Sequence, residues 1–125
     1  MNDLTSKRFK ESLQEAIDLF NNQKWYEAHD AFEDIWNDLV GEERQIIQGI
    51  LQVSVSQFHL NKGNFNGAMI LLGEGLGRIK NRVSDDLEID LILLCISLES
   101  LLNKLHTKTP LNPSDVPLLM KLKRQ

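Results

Sequence analysis

The sequence predicts an all-α fold, a compact bundle of about five helices, on three observations. Apolar residues recur at helical spacing through most of the chain. Valine and isoleucine never alternate with polar residues for long enough to suggest a strand. The chain also carries an internal echo. A shift of 40 residues lays Phe20 on Leu60, Asn21 on Asn61, Trp25 on Phe65, Ala28 on Ala68, Phe32 on Leu72 and Trp36 on Leu76, which makes the fold two related helical hairpins followed by a further helix.

Each helix has its own signals. Phe9, Leu13, Ala16, Ile17 and Phe20 give the apolar stripe of the first, which the polar turn Asn21-Asn22-Gln23 closes. The second begins near Trp25 and carries Trp25, Ala28, Phe32, Ile35 and Leu39 inward, until Gly41 breaks the chain. The third runs from about Glu42 to Leu60 through Ile46, Ile47, Ile50, Val53 and Phe58, and stops at Asn61-Lys62-Gly63, where glycine takes the left-handed cap conformation. Asn64 caps the fourth, whose stripe is Phe65, Ala68, Met69, Leu72, Leu76, Ile79 and Val83. Asp85 and Glu88 have capping-box spacing at the start of a fifth helix that ends near His106. Residues 107–125 form a proline-containing loop with at most a short helix from Ser114 to Lys123, and 1–125 read as a single domain.

Composition narrows the function. The net charge of −4 and pI near 5.3 argue against a nucleic-acid partner, because the basic residues are scattered apart from Lys121-Leu122-Lys123-Arg124. No stretch approaches the ~18 apolar residues of a membrane span, and the N-terminus has no apolar signal region, so a cytoplasmic protein without a membrane partner is expected. Cys95 lies inside an apolar run and reads as a small buried hydrophobe in a reducing compartment. Gly73, Gly75 and Gly77 lack the spacing and preceding strand of a nucleotide fingerprint and read as a place of close helix packing.

One stretch needs a chemical explanation. At about 100° per residue, His29, Glu33 and Trp36 follow one another down the flank of the second helix's apolar stripe, with Tyr26 one turn before them. The echo replaces His29 and Glu33 by Met69 and Gly73, so the hairpin design itself does not require the polar pair. On the third helix Gln48, Gln52, Val55 and His59 share an edge. Folding the two helices back around Gly41 places His29 opposite Gln52 and Glu33 opposite Gln48, with His59 nearer Tyr26. The polar cluster His29, Glu33, Gln48, Gln52 and His59, lined by Tyr26 and Trp36, is therefore the candidate site. It supports three readings: a buried hydrogen-bond network or small-ligand pocket, a divalent metal held by His29, Glu33 and His59, or separate solvated groups. A metal wants three or four converging ligands at ~2.0–2.3 Å. Two are convincing here, and His59 is displaced along the axis, so the cofactor stays open with metal the less favoured reading.

The residues Trp25-Tyr26-Glu27-Ala28-His29-Asp30 and Glu33-Asp34-Ile35-Trp36, then Gln48-Gly49-Ile50-Leu51-Gln52, His59 and Gly63-Asn64-Phe65-Asn66-Gly67-Ala68, resemble the domain-of-unknown-function 309 family over about residues 9 to 80. The resemblance implies a small all-helical protein and a label sometimes attached to that family, predicted metal-dependent hydrolase. It matches at His29, Glu33, Trp36, Gln52 and His59.

Two functional classes remain. One is a helical module that binds a small molecule or a protein partner between the second and third helices, and the other is a metal-dependent hydrolase using His29, Glu33 and His59. The fifth helix adds an expectation about assembly. Leu91, Leu94, Leu98, Leu101 and Leu105 occupy one face, while Ile89, Ile92, Leu93 and Ile96 spread over others. Such a helix is either central to the bundle or covered by a second copy, and the homodimer is preferred.

Overall fold

In the computed structural model, which describes residues 4–123, five helices follow one another: α1 (Lys7–Asn21), α2 (Trp25–Trp36), α3 (Gly41–Asn61), α4 (Phe65–Ile79) and α5 (Leu91–Thr107). A 3-10 turn at Pro113–Asp115 comes last. Each helix packs mainly on its neighbours in sequence, α1 on α2, α2 on α3, α3 on α4 and α4 on α5. The starts of the first four helices and the stops of α1 and α3 agree closely with the apolar periodicity; α2 ends at Trp36, before Leu39 of its expected stripe.

The two hairpins repeat each other down to individual hydrogen bonds. Between α1 and α2 the Lys24 N–H donates to the Leu19 carbonyl at 2.9 Å, and between α3 and α4 the Asn64 N–H donates to the His59 carbonyl at 2.9 Å. Gln23 and Gly63, at equivalent places in these turns, both have positive φ, 61° and 77°. Glycine adopts that conformation at no steric cost. Ala28 and Ala68 are both completely buried at the start of the returning helix, where a small side chain lets the helices approach. Asn64 caps α4 as its identity suggests, accepting from the Gly67 N–H at 3.0 Å.

The core sits around α3, which buries residues on most of its circumference, among them Ile46, Ile47, Gly49, Ile50 and Val53. It is enclosed by the inward stripes of its neighbours, Phe20 from α1, Phe32 from α2 and Leu72 and Ile79 from α4, all fully buried. Phe20 meets Trp25 and Phe32 edge to face, with centroids 5.0 and 6.4 Å apart, the arrangement favoured by the ring quadrupoles. Ser56 satisfies its hydroxyl within the α3–α4 contact by donating to the Ala68 carbonyl at 2.7 Å.

The region after α4 departs from expectation. α4 ends at Ile79, and Val83 lies outside it, 74% exposed rather than on the apolar stripe. Asp85 and Glu88 do not open α5. The Glu88 N–H donates to the Asp85 carbonyl at 3.0 Å in a turn, and Glu88 has a φ of 55°, incompatible with a first helical turn. Asp90 is the true cap, its side chain accepting from the Leu93 N–H at 2.9 Å. Ile89, placed before the helix, is buried and forms an isolated antiparallel bridge with Lys121.

In place of a helix over 114–123, the chain makes the 3-10 turn, closed by an Asn112/Asp115 capping box, and then runs extended. The Asn21 side chain anchors that extended segment by donating to the Leu119 carbonyl and accepting from its N–H, at 3.0 and 2.8 Å. Arg124 and Gln125 lie outside the described residues.

α5 buries the leucine face read from the sequence, Leu91, Leu94, Leu98, Leu101 and Leu105. It is not the central helix, however. α3 holds that place, and α5 lies at the end of the array against α4, leaving Ile92 and Ile96 exposed at 78% and 61%. Cys95 is half-buried rather than buried. Desolvation and the nearby Glu99 carboxylate raise its thiol pKa, with Lys80 acting in the opposite direction, so the thiol stays protonated at neutral pH. Among the described residues no helix is long and apolar enough to cross a membrane.

Candidate functional site

α2 carries His29 and Glu33 because its inward positions are taken by Trp25, Ala28, Phe32 and Ile35. The flank is left for polar groups. The half-buried His29 ring lies between two carboxylates of its own helix. Its Nδ1 is 3.2 Å from Asp30 Oδ1 and its Nε2 is 3.8 Å from Glu33 Oε2. Both carboxylates are more than half exposed, so each pairing contributes about 0–1 kcal/mol.

On α3, facing α4, Gln52 is the buried polar group of the site. Its Nε2 donates to Glu74 Oε2 at 3.1 Å. Its Oε1 is buried and has no hydrogen-bond partner. A buried acceptor without a donor costs roughly 1–3 kcal/mol, and native structures contain few of them. Glu74, which holds the other end of the carboxamide, is itself exposed.

Between α2 and α3, Tyr26 lies against Phe58 with ring centroids 6.3 Å apart, and Arg44 lies over Trp36. No hydrogen bond joins Glu33 to Gln52. The predicted partnership of Glu33 with the Gln48 and Gln52 amides is replaced by two separate pairs, His29 with Glu33 and Gln52 with Glu74.

His59 stands apart. It sits in the last turn of α3 with Nδ1 3.4 Å from Asn64 Nδ2. Among the described residues no group of three or more His, Cys, Asp or Glu side chains is arranged to hold a metal ion. The proposed ligand set His29, Glu33 and His59 is therefore not brought together, because His59 belongs to the far end of the helix. Trp36 is covered rather than open, with the Arg44 guanidinium 3.8 Å above its ring. Tyr26 is 63% exposed and lines the edge against Phe58 rather than a closed pocket.

Glu74 is the participant that sequence reading overlooked. It lies within Gly73-Glu74-Gly75, a run read for its glycines. A hairpin centred on Gly63 places Gln52 level with Glu74 on α4, and that register would have identified the carboxylate. The polar groups lie on three helices, Glu33 and His29 on α2, Gln52 on α3 and Glu74 on α4, as two separate pairs.

The family model described as Domain of unknown function (DUF309) matches residues 13–71, which cover most of α1, all of α2 and α3 and the first half of α4. No curated protein and no solved structure shows significant similarity to the chain.

Proposed function

We propose, for a chain that over residues 13–71 belongs to the DUF309 family, that it is a small helical binding module. Its site is the edge formed by His29, Glu33, Gln52 and Glu74, and its ligand is a small molecule rich in N–H donors. The observation that carries this reading is the buried Gln52 oxygen with no donor. Glu33 and Glu74 add carboxylates on either side of α3, so the groups awaiting a partner accept hydrogen bonds and carry negative charge. An ammonium that pairs with Glu74 would free the Gln52 carboxamide and supply the missing donor, a charge-assisted bond stronger than a neutral one. Binding of this kind leaves His29 as a neighbour that orients Glu33, with no reacting group required.

The alternative, a metal-dependent hydrolase using His29, Glu33 and His59, has less support because those three side chains do not converge. Calorimetric titration with 1,4-diaminobutane, a simple probe with two ammonium groups, tests the binding reading. Saturable one-to-one binding that Gln52→Leu and Glu74→Gln each weaken is expected. An affinity unchanged in both variants overturns it.

For assembly, a second copy of the chain is the partner we propose. Exposed Ile92, Leu93 and Ile96 on the outer face of α5 support it, since an apolar patch of that kind marks an interaction surface and two-fold pairing is the commonest way to cover one.

A further inference from the structure

A second site lies away from the polar edge, where the α3–α4 turn meets the C-terminal end of α5. There a cleft of about 630 Å³ opens between Leu60, Phe65, Met69, Leu105 and Leu111, and its lining is mostly apolar. Small-molecule sites typically run to ~300–1,000 Å³ with linings of the same character. Phe65 and Leu111 are 56% and 39% exposed, so the cleft keeps apolar surface that nothing in the chain covers.

The charges in its wall have one sign. Lys104 and Lys108 line the cleft, and no carboxylate does. Lys104 is held by Asp115 at 2.8 and 3.0 Å, a pair that is neutral as a whole. Lys108 is exposed and has no carboxylate partner. The cleft therefore carries one uncompensated positive charge. That ammonium is not spent on the end of α5, because the Lys104 carbonyl accepts from the Thr109 N–H at 2.9 Å and the Leu105 carbonyl from the Lys108 backbone N–H at 3.4 Å. The chain has a net charge of −4, but exposed charges beyond a Debye length of ~10 Å are largely screened, and the lysine in the wall decides.

The backbone at Lys108 adds a second mark. Lys108 ends α5 with a φ of 56°, the left-handed conformation that glycine takes at helix ends without steric cost. A lysine at this place gives up stability and sets a cation beside the apolar cleft.

We propose that the cleft binds a medium-chain alkyl carboxylate, with the chain between Phe65, Met69 and Leu105 and the head group paired with the Lys108 ammonium. A single ammonium is a compact point charge, which suits a monoanion. A cationic amphiphile would meet an unpaired like charge, and a neutral one would leave the ammonium unmatched. No group of the His29 edge takes part.

Nuclear magnetic resonance titration of the full chain with octanoate, octan-1-ol and octylammonium tests this. Octanoate is expected to shift the backbone amides of Leu60, Phe65, Met69 and Leu111 saturably, and to bind about threefold to fivefold more tightly than octan-1-ol, with octylammonium weakest. Hexanoate should bind about tenfold more weakly than octanoate, since it buries two fewer methylenes. Lys108→Gln removes the charge from an exposed position, and Lys108→Gly also suits the left-handed backbone, so both variants should fold. Each is expected to bring octanoate down to the affinity of octan-1-ol and to leave octan-1-ol binding unchanged. Leu111→Asn, on the exposed loop, should weaken both probes. Absence of saturation, octylammonium or octan-1-ol binding as tightly as octanoate, or full octanoate affinity in both Lys108 variants would each overturn the proposal.

Discussion

Gly49 and Gly75 meet backbone to backbone where α3 crosses α4. A Cβ on Gly49 would lie 2.7 Å from the Gly75 carbonyl oxygen, and a Cβ on Gly75 would lie 2.7 Å from the Gly49 carbonyl oxygen. No side chain fits without separating the helices. This crossing sets the α3–α4 register, and with it the pairing of Gln52 and Glu74 one turn away.

Gly49→Ala and Gly75→Ala should therefore destabilise the fold. Overpacking costs about 1–3 kcal/mol, and alanine's better helix propensity returns at most about 1 kcal/mol. Gly73 and Gly77 have nothing within 4 Å of an added Cβ. Their alanine variants should be more stable by about 0.5–1 kcal/mol. Urea unfolding of the four variants checks both signs, and a stabilised Gly75→Ala would contradict the close crossing.

The polar edge makes a separate stability prediction. Glu33 is exposed and pairs with its neighbour His29 at 3.8 Å, so Glu33→Ala should change stability by no more than about 0.5 kcal/mol. Gln52→Leu should leave stability unchanged or raise it by about 1 kcal/mol, because it removes a buried acceptor that lacks a donor. Stability gained where binding is lost is the mark of a functional group. A loss of about 2 kcal/mol or more in Glu33→Ala would instead make the edge a structural network.

Acid should act on the C-terminal turn. The Lys104 ammonium, then the Asn112 backbone N–H, hold the Asp115 carboxyl below the ordinary carboxylate range. With a folded pKa below the unfolded value of about 3.9, the unfolded chain takes up the proton first. The stabilisation is thus complete above the unfolded value and is lost as pH falls through the folded one. Comparing urea midpoints at pH 6 and pH 3, Asp115→Asn should show a smaller fall than the wild type. An equal fall would mean that the pair does not contribute.

Association through α5 predicts a particle of about twice the 14.3 kDa chain mass at micromolar concentration. Ile92→Glu and Ile96→Glu should each give a folded monomer. Light scattering reads the mass directly, and a wild-type chain that stays monomeric at millimolar concentration would remove the second copy as partner.

Much of this architecture was legible in the sequence because helical spacing and a 40-residue echo both record burial. Phe20, Ala28, Phe32, Ala68 and Leu72 were assigned to the core from spacing alone, and all are buried. The segment after Ile79 was less legible. Asp85 and Glu88 carry the right residue types for a cap, but Glu88 adopts a left-handed backbone because the chain must first pair Ile89 with Lys121. That long-range bridge leaves no local pattern. In the candidate site, the face of α2 that carries His29 and Glu33 followed from periodicity. The partner of Gln52 was passed over because Glu74 lies in a run read for its glycines, although a hairpin centred on Gly63 puts it level with Gln52.

The central claim is that the Gln52 carboxamide awaits a donor from a ligand, and its own side-chain N–H resonances report on it most directly. Titrating isotope-labelled protein with 1,4-diaminobutane should move those resonances saturably, together with the backbone amides of His29, Glu33 and Glu74, and Glu74→Gln should weaken the effect. Gln52 resonances that stay fixed while the probe shifts only scattered surface carboxylates would contradict the account.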